Sequence, residues 1–96
     1  GDIVYLAGQV ARVEGSVTDQ TRDILAQIDE ILASAGTDKT QLIEATIWLA
    51  DIGTFAEMNA VWDNWVVSEG GPNRACVEAK LAAPRFKVEI RVSAAI

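Results

Sequence analysis

Ile3-Val4-Tyr5-Leu6-Ala7 opens the chain as a short apolar run, β-branched and aromatic at its start, and it stops at Gly8. Gln9-Val10-Ala11-Arg12-Val13 follows, with Glu14-Gly15-Ser16 behind it. Runs of this kind bounded by glycine predict two short strands, paired as a hairpin and closed by a turn at Glu14-Gly15. The period then becomes helical. Ile24, Leu25, Ile28, Ile31, Leu32 and Ala35 form one apolar stripe, while Asp19, Arg22, Asp23, Asp29 and Glu30 spread over the remaining surface. Ser16 or Thr18 is placed to cap the start of this helix and Gly36 to end it.

Leu42 to Ala50 alternates again, with Ile43, Ala45, Ile47 and Leu49 on one face. Its other face carries Leu42, Glu44, Thr46, Trp48 and Ala50, so both faces are partly apolar. That pattern predicts a central strand, or one whose second face is covered by another subunit. Thr54-Phe55-Ala56-Glu57 reads as a capping box opening a second helix, whose stripe is Phe55, Met58, Val61, Trp62, Trp65 and Val66. Gly70-Gly71-Pro72 closes that segment, Arg74 to Lys80 reads as a strand, and Ala82-Ala83-Pro84 turns the chain. Phe86 to Ala95 is the last strand, with Val88, Ile90 and Val92 on one face and Lys87, Glu89 and Arg91 on the other. The order β-β-α-β-α-β-β predicts an α+β domain with a mixed sheet, parallel crossovers through the helices, hairpins at both ends and both helices on one sheet face.

Composition narrows the function. Ninety-six residues, half of them apolar, make one domain (1–96) with a modest core. A small core with a second sheet face to cover makes self-association an expectation. Eight basic against fourteen acidic residues give a net charge of −6, and the pI is about 4.4. Broad binding to a phosphate backbone requires the opposite balance, so no nucleic-acid partner is expected. The chain has no histidine and a single cysteine, Cys76. Histidine triads, Cys-His dyads, histidine-containing metal sites and cysteine zinc cages are therefore excluded. A lone cysteine and the lack of a spanning apolar run or a signal peptide fit a cytoplasmic protein with no membrane partner.

Some side chains could carry chemistry. Arg74 follows a Gly-Gly-Pro-Asn turn and opens a strand, where a guanidinium can clamp a carboxylate. On spacing alone, a solvated strand-end arginine is the plainer description. Glu89 alternates with Lys87 and Arg91, and pairing of the last two strands would bring it toward the face formed by Arg74, Cys76 and Glu78. There it could position and deprotonate water, or it could be an ordinary cross-strand ion-pair partner. Cys76 has no activating neighbour in the sequence and reads as a small buried or cleft-lining residue. Asn59 reads as a structural hydrogen-bonder, and the tryptophans as core or interface.

Several segments together resemble one family: Tyr5-Leu6-Ala7-Gly8-Gln9, Gln20-Thr21, Ala35-Gly36, Ala45-Thr46-Ile47-Trp48-Leu49-Ala50-Asp51, Phe55-Ala56-Glu57-Met58-Asn59, Pro72-Asn73-Arg74-Ala75-Cys76-Val77 and Lys87-Val88-Glu89-Ile90. In this order they resemble the Rid family of reactive intermediate deaminases, whose members include proteins labelled L-PSP endoribonucleases. Trp62-Asp63-Asn64-Trp65-Val66-Val67 and Lys87 to Val92 resemble its YoaB-like branch most. The resemblance implies a chorismate-mutase-like fold, related to the ferredoxin-like one, assembled as a homotrimer with ligand clefts between subunits. It also implies that Arg74 holds a substrate carboxylate, helped by the backbone at Gly8 with Ala7 beside it. The backbone carbonyl of Cys76 and the Glu89 carboxylate would hold water, and Asn59 matches the family's helix asparagine. The implied reaction is hydrolysis of 2-imino or enamine acids, such as 2-aminoacrylate or 2-iminopropionate, to 2-keto acids and ammonia, for which neither a metal nor a cofactor is expected.

The sequence departs from the family at Ala7, where the family's S-G-Q motif has serine, and the family's N-terminal segment is expected to be missing. Two other functions stand beside the deaminase. A trimeric module that binds small carboxylates without turnover needs Arg74 but no water-positioning Glu89. A ribonuclease is opposed by the acidic balance and the absence of histidine.

Overall fold

The alternating segments and helical stripes become five strands and two helices in the computed structural model, which describes residues 1–96. In chain order they are β1 (Ile3–Tyr5), β2 (Gln9–Val10), α1 (Val17–Ser34), β3 (Leu42–Leu49), α2 (Phe55–Trp65), β4 (Asn73–Glu78) and β5 (Val88–Ala95). Single 3-10 turns at Lys39–Gln41 and Ile52–Thr54 lead into β3 and α2. Both helices cover one face of a mixed sheet, as the patterning predicts. No helix is long and apolar enough to cross a membrane.

The sheet is built on β3 and β5, which run antiparallel with Thr46 opposite Arg91 and Ile47 opposite Ile90. Alternation buries Val88, Ile90, Val92 and Ala94 of β5 against the helices, facing Ala45, Ile47 and Leu49 of β3. The helices supply Ile24, Leu25, Ile28, Leu32, Met58 and Trp62 to the same core. Each fully buried side chain of this size contributes roughly 1.5–3 kcal/mol of transfer free energy.

Three expectations about neighbours and faces are corrected. The first two strands do not pair with each other: both lie antiparallel along β5, as two halves of one edge. Between Tyr5↔Ser93 and Gln9↔Ile90 the edge advances four residues against three on β5, so a bulge at Leu6–Gly8 separates the halves. The last two strands do not pair either. β4 returns through α2 to lie parallel to β3, and the link to β5 then crosses the end of β3. Ala79 N–H donates to Leu49 O and Ala50 N–H donates to Lys87 O, which fastens that link on either side of β3. Finally, an irregularity between Leu42 and Glu44 shifts the early part of β3. Leu42, not Ile43, therefore joins the buried face, and Ile43 is exposed.

The helix ends show which local signals act locally. Ser16 caps α1, its Oγ accepting from Asp19 N–H at 3.0 Å. Gly36 takes φ +84°, and Thr37 and Gly36 N–H groups donate to Leu32 and Ala33 carbonyls in a Schellman ending. The capping box at Thr54 does not form. Thr54 leaves the 3-10 turn at φ −90°, ψ 8°, outside the extended N-cap conformation, and its hydroxyl donates to Asp51 O. Glu57 turns instead to α1, where its Oε2 accepts from Thr18 N–H at 2.8 Å and Oγ1 at 2.9 Å. That places a carboxylate at the positive end of α1.

Gln20, fully buried on α1, fixes the approach to β5. Its Nε2 donates to Arg85 O at 2.8 Å, and its Oε1 accepts from Lys87 N–H at 2.9 Å. Gln20→Ala leaves both backbone groups without their partner, and about 1–3 kcal/mol of stability is expected to go with them. Urea unfolding measures this. A loss below about 0.5 kcal/mol, the scale of an ordinary surface change, would show that Gln20 is not the clamp.

Candidate functional site

The candidate residues form two groups, on opposite faces of the sheet. The first lies where the free edge of β4 meets α2. Arg74 opposes the buried Ala45, which puts its side chain on the helix-covered face together with Cys76 and Glu78. Its Nη1 donates to Asn59 Oδ1 at 2.7 Å. Its guanidinium carbon lies 5.6 Å from the Phe55 ring centroid and 5.5 Å from that of Trp62. The i, i+4, i+7 spacing of Phe55, Asn59 and Trp62 brings all three to one face of α2.

No carboxylate lies within 4.0 Å of Arg74: the ion pairs of the chain join Arg12 to Asp23 and Glu30. A half-buried guanidinium is thus oriented by a neutral amide and two aromatic faces, with donors left over. Such a group can accept a carboxylate with paired hydrogen bonds.

Cys76 is half-buried and packs against the core. Burial pushes its thiol pKa up, and nearby Arg74 only partly opposes this, so the thiol is held protonated rather than activated. Its backbone is better placed. The Ala79 N–H bond to Leu49 O directs the odd-numbered backbone groups of β4 toward β3. By alternation the carbonyl of Cys76 points outward from the unpaired edge.

The second group lies on the uncovered face, at the bulge. Glu89 opposes Trp48 on one side and Val10 on the other. Its carboxylate rests against Gly8, where a methyl group would collide with Oε2. Arg91, two residues on, stacks over Trp48 at 5.4 Å. A depression of about 550 Å³ adjoins this group, lined among others by Tyr5, Ala7, Gly8, Glu44, Thr46 and Arg91. No cluster of three or more Cys, Asp or Glu side chains in the chain is arranged to hold a metal ion.

Within one chain, Glu89 does not meet Arg74 and Cys76, which corrects the expectation drawn from a C-terminal hairpin. Arg74 opposes Ala45 and Glu89 opposes Trp48, three residues further along β3. An odd separation puts the two side chains on opposite faces. The structure joins Arg74 to Asn59, and Glu89 to Gly8 with Ala7 adjacent. The helical pattern places Phe55 and Trp62 in the core stripe. Their spacing around Asn59 was the available signal for a second task beside Arg74.

A sequence profile described as Endoribonuclease L-PSP matches residues 1–96. The chain belongs to this family. A RutC family protein of Haemophilus ducreyi is 45% identical over 95 residues, covering 98% of this chain and 81% of the relative. The RutC family protein YoaB of Escherichia coli is 42% identical over 93 residues, covering 97% and 82%. Among solved structures, a YjgF family protein from Neisseria meningitidis superimposes with a TM-score of 0.94 at 48% identity, covering 96% of this chain and 77% of its own. The L-PSP, YjgF and RutC names converge on the Rid-like family that the motifs resemble, with its YoaB-like branch, and the fold agrees with that membership.

Burial of Cys76 sets a measurable expectation. Alkylation by iodoacetamide should require a higher pH than alkylation of an exposed thiol. Arg74→Ala should move the pH–rate curve higher still, because the guanidinium pulls the pKa down. A thiol reacting at neutral pH faster than free cysteine contradicts this environment.

Proposed function

We propose that the chain deaminates small 2-imino or enamine acids by hydrolysis, releasing 2-keto acids and ammonia, in clefts between the subunits of a homotrimer. The observation that carries this reading is Arg74: half-buried, oriented by Asn59 between Phe55 and Trp62, and free of any carboxylate. Such a cation suits a small organic acid. Family membership supports the same chemical class.

The opposite placement of Arg74 and Glu89 supports the composite cleft. One chain offers a carboxylate anchor on its covered side and a carboxylate base on its open side. A site using both draws the anchor from one copy and the base from another. The open face also exposes Ile3, Tyr5 and Val77, apolar surface that a neighbour would cover.

In the cleft, Arg74 orients the acid, and Glu89 with the outward Cys76 carbonyl positions water against C2 of the imine. Water adds to C2 while Glu89 takes its proton. That proton passes to nitrogen to give a carbinolamine, the C2 hydroxyl proton then passes through Glu89 to the same nitrogen, and the C–N bond breaks, so that ammonia leaves as the C2 oxygen becomes the ketone. Ala7 supplies no hydroxyl to this site.

The alternative is a trimeric module that binds 2-keto acids without turnover. It is favoured by the completeness of the Arg74 anchor within one chain. A pI near 4.4 opposes the polyanionic substrate that the family's endoribonuclease name suggests.

Ammonia release from 2-iminopropionate tests the reading. Glu89→Gln is expected to lower turnover by roughly 10²-fold or more while leaving keto-acid binding largely intact. Arg74→Ala should lose about 2–5 kcal/mol of keto-acid binding, and Arg74→Lys should not restore it. Wild-type turnover in Glu89→Gln would remove the proposed base. Binding without ammonia release by the wild type would select the non-catalytic module.

Sedimentation equilibrium tests the assembly separately: a trimer is expected, and a stable monomer at micromolar concentration overturns the shared cleft.

A further inference from the structure

Asn59 is the only polar side chain that hydrogen-bonds Arg74, yet an asparagine amide can face either way. Turned by half a rotation, it would aim its NH₂ group at the guanidinium, donor against donor. On the far side of the amide stands Asp63, one helical turn along α2, whose Oδ2 accepts from Asn59 Nδ2 at 3.2 Å. An ionised carboxylate offers acceptors only, so it binds the NH₂ end of Asn59 and leaves the Oδ1 end for Arg74.

We infer that Asp63 is a positioning residue for the site: it selects the orientation of Asn59 and thereby presents Arg74 to an acidic ligand. Asp63 is exposed and forms no ion pair, so no salt bridge accounts for a carboxylate at this place. The spacing 59, 63 lets one helix face carry the relay. A direct Asp63–Arg74 pair would neutralise the guanidinium. With a neutral amide between them, the carboxylate orders Arg74 without occupying its remaining donors. This deepens the carboxylate-anchor reading and rests on it for the binding consequence.

Asp63→Ala and Asp63→Asn in the full chain provide the test, with two readouts: pyruvate affinity by titration calorimetry, and the Arg74 Nε–Hε resonance by NMR. The resonance is assigned by its loss in Arg74→Lys. Asp63→Ala should weaken pyruvate binding by about 3–10-fold, the scale of one hydrogen bond, and shift or broaden the Arg74 resonance. Asp63→Asn keeps the size but adds an NH₂ donor that can bind Asn59 Oδ1, so it no longer selects one orientation and should also weaken pyruvate binding and shift or broaden the Arg74 resonance. Unfolding midpoints and resonances far from Arg74 are expected to stay in place in both variants, and their movement would identify a general loss of structure instead of the relay.

An unmoved Arg74 resonance in Asp63→Ala overturns the relay. Wild-type affinity with an unmoved Arg74 resonance in Asp63→Asn overturns orientation by an acceptor-only group. A shifted resonance with unchanged affinity overturns the role in binding. If Arg74→Ala binds pyruvate like the wild type, the anchor reading fails by itself, and the Arg74 resonance still decides the relay.

Discussion

β3 is hydrogen-bonded along both edges, antiparallel to β5 and parallel to β4, and its alternation sorts the sheet into two faces. Ala45, Ile47 and Leu49 lie under the helices, whereas Glu44, Thr46 and Trp48 lie on the open side. Each neighbouring strand inherits this division through its register. Arg74 follows Ala45 to the covered side, and Glu89 follows Trp48 to the open side. Moving β5 by one residue would put Val88, Ile90, Val92 and Ala94 into water, so packing of the core holds Glu89 on the open side, while β4, which has no buried residue, keeps Arg74 on the other through its parallel ladder with β3.

That separation gives the two faces different roles. On the covered side, α2 supplies a ready-made environment for a cation, with aromatic rings from the core stripe and an amide from the same helix face. On the open side, the bulge at Leu6–Gly8 brings a glycine backbone to the Glu89 carboxylate. The bulge has two effects. It changes which edge residues point inward, so Leu6 and Ala11 are both buried although their separation is odd. It also leaves a segment without side-chain bulk beside Glu89. A close backbone approach of this kind is one of the few roles that only glycine fills without displacement.

The features legible in the sequence were those set by local period and local capping. The α1 stripe, Ser16 and Gly36 act within a few residues of themselves, and the structure places each as its pattern predicts. Helices on one face and β3 at the centre also follow from which positions are apolar. Strand neighbours do not, because alternation states a strand's faces without naming the strand beside it. The hairpins expected at both ends failed for that reason, and the expected meeting of Arg74 with Glu89 failed with them. The bulges at Ile43 and Leu6–Gly8 were invisible because one extra residue resembles a continued alternation. Glu57 carried a local capping signal, but the 3-10 turn before α2 denied Thr54 the required backbone angles, and the nearby start of α1 took the carboxylate.

The residue at position 59 also bears on how a site keeps a cation available in an acidic chain. With fourteen acidic residues against eight basic ones, an exposed arginine has many potential carboxylate partners. Arg12 shows one outcome, pairing with Asp23, whose carboxyl is held below its usual range chiefly by the Arg12 backbone N–H. Arg74 shows the other. Its partial burial beside Phe55 and Trp62 restricts access, and the acceptor within reach is an amide. An amide oxygen accepts one guanidinium N–H without cancelling the charge, whereas a carboxylate can take two and cancel it. A neutral acceptor at Asn59 therefore combines order with unspent charge, which a carboxylate at that position would not.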